Sequence, residues 1–319
     1  MTLVSLVLVL IAGTSVGQRP ATAAPPGSRW GANYFPNVPL VTQDGKTVHF
    51  YDDLLKGKAV AINVNYTHCK DTCPLETARL ALVQRLLGDR VGKDIFFYSI
   101  SIDPTRDTPA VLKAYAEKFQ AGPGWLFLTG KKTDITLLQQ KLGLSSLTDA
   151  DNPDGHLPSL MIGNEPTGQW MRNSAVDNPQ FLAATIRNFL IGGKNGPEGA
   201  GKSYAAARPI QGLDAGSYLF RTRCTACHTL GQGDGIGPDL LGVTARRDRD
   251  WLARFIATPD QLLAAGDPLA TALSSQYRQV QMPNLHLSAA DVTLILQYLE
   301  RQGTTGREEG DRKESMAAR

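Results

Sequence analysis

The sequence predicts an α/β domain followed by a small all-helical domain. Three observations carry that prediction. The chain has 319 residues, too long for one ordinary core when single domains run to about 100 to 200 residues. Between about Asn37 and Ile191 short apolar runs alternate with helical patterns, which is how strands layered against helices read. From Gly192 the periodicity stops, and a Gly- and Pro-punctuated helical pattern takes over after Leu213. The charge balance excludes one class of partner: 33 Lys+Arg against 30 Asp+Glu leave a net +3, and no basic stripe with interleaved aromatics appears, so nucleic acid is not expected.

Residues 1–24 open on an unbroken apolar run from Leu3 to Gly13 and reach small residues ending at Ala23. That pattern fits an export signal peptide, or an N-terminal membrane anchor over residues 3 to 16 if it stays uncleaved. The α/β domain is expected over residues 34–191. Val60, Ile62 and Val64 alternate as in a strand, and "IFFYSIS" (95–101) and "LFLT" (126–129) have buried-strand length. Pro74 opens a helix, and Thr108-Pro109 and Asn178-Pro179 each supply an N-cap and first helical residue. "SLMIG" and "QWMR" flank "NEPTG" as a hairpin would. Strand-helix alternation with a late hairpin and closing helix predicts a thioredoxin-like sandwich. Residues 192–211 form a flexible linker with an end-to-end distance of roughly 25 Å. The all-α domain is expected over residues 212–303, and the charged residues 304–319 as a disordered tail.

Two of the chain's four cysteines stand in "RCTACHTL". Cys224, Cys227 and His228 have the C-x-x-C-H spacing of covalent haem attachment, in which two thiols add to the vinyl groups and the next residue ligates the iron. A zinc site would need a second ligand pair, which the remaining cysteines do not supply. The surrounding 90 or so residues resemble a class I cytochrome c. Gly216 and Phe220 stand where that family crosses its first helix with its last, opposite Ile295 and Tyr298. The resemblance implies one covalent haem c, a Pro238 carbonyl that accepts from the His228 ring, and Met282 of "QMPNLHLS" as the second axial ligand, with His286 as its rival. It also implies assembly on the outer side of a bacterial cytoplasmic membrane, in the periplasm, and redox partners in the respiratory chain.

The other two cysteines stand in "NYTHCKDTCPLE". Cys69 and Cys73 are spaced i, i+4, on one side of a helical turn, and the helix opened by Pro74 is expected to lower their pKa values. Spacing alone leaves three readings open: a soft metal-binding pair, a structural disulfide and a redox dithiol. "YFPNVPLVTQDGKTVHFYDDLLKGKAV", "NYTHCKDTCP", "SISIDPTRDTPAVLKAYAEKF" and "WLFLTG" together resemble the Sco (SenC) family, copper-binding thioredoxin-like proteins that help build the copper A site of cytochrome c oxidase. The resemblance runs from residue 34 to about 190. It implies one copper ion, as Cu(I) or Cu(II), held by Cys69, Cys73 and His156, with Asp103 supporting the site and the oxidase subunit that carries copper A as partner. The strand "INVNYT" departs from the family in carrying Asn63 and Asn65, where aromatic or apolar residues are usual. A second class of function stays open: a thiol-disulfide reductase with Cys69 and Cys73 as its catalytic pair, linked to the respiratory chain through haem.

Overall fold

The computed structural model describes residues 30–69, 72–145, 158–191, 214–277 and 280–317. The expected export signal or anchor, the expected linker and His156 lie outside them. The first domain is built on a seven-stranded sheet. Its strands are β1 (Pro39–Thr42), β2 (Thr47–His49), β3 (Ala59–Asn65), β4 (Ile95–Ser101), β5 (Trp125–Gly130), β6 (Ser159–Asn164) and β7 (Gln169–Ser174). They stand in the order β2-β1-β5-β4-β3-β6-β7. The central β3, β4 and β5 run parallel, and β6 and β7 form the predicted antiparallel hairpin. Four helices cover the faces: α1 (Cys73–Leu87), α2 (Pro109–Lys118), α3 (Lys132–Leu142) and α4 (Pro179–Thr185). This is the thioredoxin-like α/β fold.

Local chemistry places these elements. Thr108 Oγ1 accepts from Val111 N at 3.4 Å, and Asn178 Oδ1 accepts from Gln180 N at 2.9 Å and Phe181 N at 3.1 Å, so both expected caps hold helix starts. Burying both faces of the parallel strands gives two apolar clusters. Ala59, Ala61, Ile95 and Phe97 pack with α1, α2 and α4, while Val60, Ile62, Val64, Tyr98 and Ile100 pack with α3 on the other face. The strand period of two therefore sends Asn63 and Asn65, with their register partners Ser99 and Ser101, to the α1 face. There the apolar layer gives way to a polar one directly beneath the loop that leads into α1.

The second domain holds α5 (Ala215–Arg223), α6 (Val243–Arg246), α7 (Arg249–Ala257), α8 (Pro259–Ala264), α9 (Pro268–Gln276) and α10 (Ala289–Ala317). Helix α5 crosses α10 where the sequence suggested. A Cβ on Gly216 would lie 2.3 Å from the Leu294 carbonyl oxygen, so only glycine permits the crossing, and the Phe220 and Tyr298 rings meet at 5.3 Å. One expectation is corrected: α10 continues to Ala317, through residues 304–317 that were expected to be disordered. A run rich in Glu, Lys and Arg has strong helix propensity, and it extends a helix already nucleated by the packed turns before it.

Candidate copper site and haem crevice

The loop between β3 and α1 presents Cys69 and Cys73, which are 7 % and 0 % exposed. No disulfide joins them. Thr72 occupies the N-cap position of α1 but makes no side-chain cap; instead the Cys69 sulfur accepts from Cys73 N at 3.4 Å. One sulfur thus caps the helix that begins with the other, which fixes the pair within a single turn. The expectation that the helix end lowers the thiol pKa values is corrected for Cys73. Burial pushes its thiol well above the ordinary range, and the hydrogen bond with Cys69 and the charge of Glu76 push the same way. A helix end offers about half a charge, and full desolvation outweighs it.

Beneath the sulfurs lies the polar layer. Trp125 Nε1 donates to Ser99 Oγ at 2.9 Å, and Ser99 Oγ donates to Asn63 Oδ1 at 2.7 Å. Asn63 Nδ2 reaches Glu76 Oε2 at 3.5 Å, and Thr77 Oγ1 donates to the Cys73 carbonyl at 2.8 Å. Asn63 is therefore one link of a buried network that ends on the first turns of α1.

Asp103 was expected to support the site, but its carboxylate stays in its own turn, accepting from Thr105 Oγ1 at 2.7 Å and lying 3.7 Å from Arg106. The carboxylate that reaches the cysteine loop is Asp107, fully buried, which sequence reasoning missed. It accepts from Ser101 Oγ at 2.5 Å and from both Thr67 Oγ1 and Thr67 N. The signal lay in the same "DPTRDTP" run, which holds two aspartates. His68 turns outward, with Nδ1 3.1 Å from Thr67 Oγ1 and 3.8 Å from Asp107 Oδ1. Among the described residues no group of three or more His, Cys, Asp or Glu side chains is placed to hold a metal. The expected third ligand, His156, lies outside them.

In the second domain a cavity of about 320 Å³ is bordered by Cys224, Cys227, His228, Pro238 and Met282, with apolar walls that include Phe220 and Ile295. The turn after α5 is closed by His228 N donating to the Cys224 carbonyl at 2.9 Å. The ring Nδ1 of His228 lies 2.9 Å from the Pro238 carbonyl oxygen, the contact expected of a donor Nδ1–H, and this leaves Nε2 as the ligating atom. A Cβ on Gly237 would lie 2.7 Å from that ring, so the glycine lets the backbone lie flat against it. Burial pulls the imidazole pKa down, which favours the neutral, ligating form, and burial pushes both thiols up to about 12. Two undisulfided thiols, an oriented imidazole and a thioether on one apolar cavity fit haem c. His286 is exposed and does not border the cavity, whereas Met282 does.

The Pro238 loop has a second anchor that the sequence did not single out. Asp239 accepts from Gly231 N at 2.9 Å, Gly233 N at 2.8 Å, Leu241 N at 2.8 Å and Thr229 Oγ1 at 2.9 Å. Its carboxylate ties both ends of the loop that carries the His228 acceptor.

Comparison with known proteins agrees with this division. The SCO1/SenC family model matches residues 31–161 and the cytochrome c model residues 213–302. A SCO2-like protein of Rickettsia felis is 36% identical over 161 residues, 48% of this chain and 73% of that protein. The chain belongs to the SCO1/SenC family. Among solved structures, copper-bound ScoI of Bradyrhizobium japonicum is similar at 28% identity over 48% of this chain and 98% of that one, with a TM-score of 0.39. The cytochrome c domain of a Pseudomonas putida protein is 49% identical over 28% of this chain and 88% of that one, with a TM-score of 0.27. This SCO1/SenC protein thus carries a cytochrome c domain after its thioredoxin-like one. Among the described residues no helix is long and apolar enough to cross a membrane.

Proposed function

We propose that the chain is a copper-binding assembly factor for the copper A site of cytochrome c oxidase, exported to the bacterial periplasm and carrying its own one-electron carrier. The observation that carries this reading is the sulfur pair: two undisulfided cysteines in one turn, one capping the helix that starts with the other. Soft sulfurs at that spacing suit Cu(I), and with an added imidazole they also hold Cu(II). His156 is the proposed third ligand, and Asp107 keeps the loop in place. Copper is here the cargo.

Cys224 and Cys227 would hold haem covalently, with His228 and Met282 as axial ligands. Bound there, it supplies a one-electron couple, which matches Cu(I)/Cu(II) and not the two-electron dithiol/disulfide couple.

The test is a titration of the reduced, haem-loaded full chain with Cu(I) and Cu(II), followed by transfer to an apo copper A domain. One copper per chain is expected, lost in Cys69→Ser and Cys73→Ser and weakened in His156→Ala, with the haem spectrum unchanged. Full copper retention in both cysteine variants would remove the copper assignment.

A further inference from the structure

The cavity that fits haem is not walled by the cytochrome domain alone. Pro74, Leu75 and Phe119 of the α/β domain border it as well. The apolar cluster on the α1 face runs on into the second domain, taking in Ala226 and Ile236, each 7 % exposed, with Cys227, Val280 and Leu285 packed against it. Pro74 and Leu75 directly follow Cys73 in the chain. The helical turn that begins with a sulfur of the copper pair therefore also meets the crevice bordered by Cys224 and Cys227.

A charged residue sits in the same contact. Arg79 is one turn beyond Leu75 on the same face of α1 and is only 5 % exposed. Its guanidinium reaches the Asp177 carbonyl oxygen at 3.4 Å, and the Asp177 carboxylate is among the charges that act on it. Arg223 and Cys227 of the cytochrome domain are among the groups whose charges act on it, and burial with Arg223 pulls its pKa down. Burying a cation this deeply is costly. An accidental contact between two linked domains would be expected to leave such a long side chain in water.

We propose that the α/β domain is the built-in docking partner of the cytochrome domain, with Leu75 and Phe119 closing its crevice and Arg79 holding a buried positive charge one turn further along the same helix face. The proposal rests on the reading of Cys224, Cys227 and His228 as a haem site. Docked, that side of the crevice is covered by the helix that starts with Cys73 and is closed to outside partners. The positive charge favours the electron-rich form of whatever redox group the crevice holds. Arg79 acts through that field and is a positioning residue.

The test uses haem-loaded full chain. Small-angle scattering of the wild type is expected to show one compact particle, and Leu75→Asp a longer particle of two separate bodies. Arg79→Gln is expected to fold as wild type and to lower the ferrous-to-ferric ratio about tenfold at a fixed ambient potential, a shift of about 59 mV. An extended wild-type particle, or an unchanged ratio in Arg79→Gln, overturns the proposal. Should Leu75→Asp fail to fold, wild-type scattering and Arg79→Gln still decide it. Copper titration of the same wild-type sample reports separately on the functional reading, since lost copper with intact docking would sink that reading and leave this one standing.

Discussion

Asp107 Oδ1 accepts a hydrogen bond from Thr67 Oγ1 at 2.6 Å, while its other oxygen takes Thr67 N at 3.1 Å. One buried carboxylate thereby grips the residue two positions before Cys69 and, through Ser101, the end of β4. Partners that orient ligands in this way are commonly worth 10- to 100-fold in metal affinity. Asp107→Asn is expected to weaken Cu(I) binding by roughly that factor, with far-ultraviolet circular dichroism unchanged, as measured by competition with a chelator. Wild-type affinity in the variant would show that the loop holds itself.

The crossing of α5 and α10 gives a second expectation. Any side chain at Gly216 meets the Leu294 carbonyl at 2.3 Å, and the helices must separate. Overpacking of this kind costs about 1 to 3 kcal/mol. Gly216→Ala should lower the melting temperature followed at the haem absorption band by about 4 to 8 °C per kcal/mol, leaving copper binding by the first domain intact. An unchanged melting curve would mean the helices do not meet this closely.

At Gly237 the effect should be spectroscopic. A methyl group there would sit 2.7 Å from His228 Cε1, tilting the ring away from the Pro238 carbonyl. Gly237→Ala is expected to shift part of the haem to a high-spin spectrum while helix content is kept. A fully low-spin spectrum would show that the loop yields instead of the ring.

Asp239 sets a pH dependence. Burial opposes its ionisation, but the N–H groups of Gly231 and Leu241 and the Thr229 hydroxyl outweigh that, and its pKa falls to about 2 from an ordinary 3.8. A depressed folded-state value means that the stabilisation is complete above about pH 4 and is lost as pH falls through about 2. Asp239→Asn should therefore destabilise the cytochrome domain at neutral pH, by about 1 kcal/mol after solvent screening. The difference from wild type should close near pH 2. Acid titrations monitored by haem absorbance check it, and a difference that persists undiminished at pH 2 would assign the effect to shape instead of charge.

Much of this was legible before any coordinates. Caps such as Thr108 and Asn178 act on the amides two or three residues ahead, so their signal is local, and the hairpin at "NEPTG" likewise needs only its own residues. C-x-x-C-H and the glycine at 216 are equally self-contained. Asp107 was not distinguishable from Asp103, because both belong to one motif and only the direction of the chain after β4 decides which carboxylate turns back to Thr67. Helix α3 was passed over, although Ile135, Leu138 and Leu142 mark its buried face.

Sequence alone determined two domains, their fold classes and the C-x-x-C-H spacing of Cys224, Cys227 and His228, because spacing and residue type act within a few positions along the chain. Tertiary structure alone decided that burial raises the Cys73 thiol pKa, that Asn63 joins a buried network reaching α1, and that Leu75 borders the crevice of the other domain. Desolvation and charge depend on what surrounds a group in space, and those neighbours come from other elements of the fold, as Ser99 and Trp125 do for Asn63.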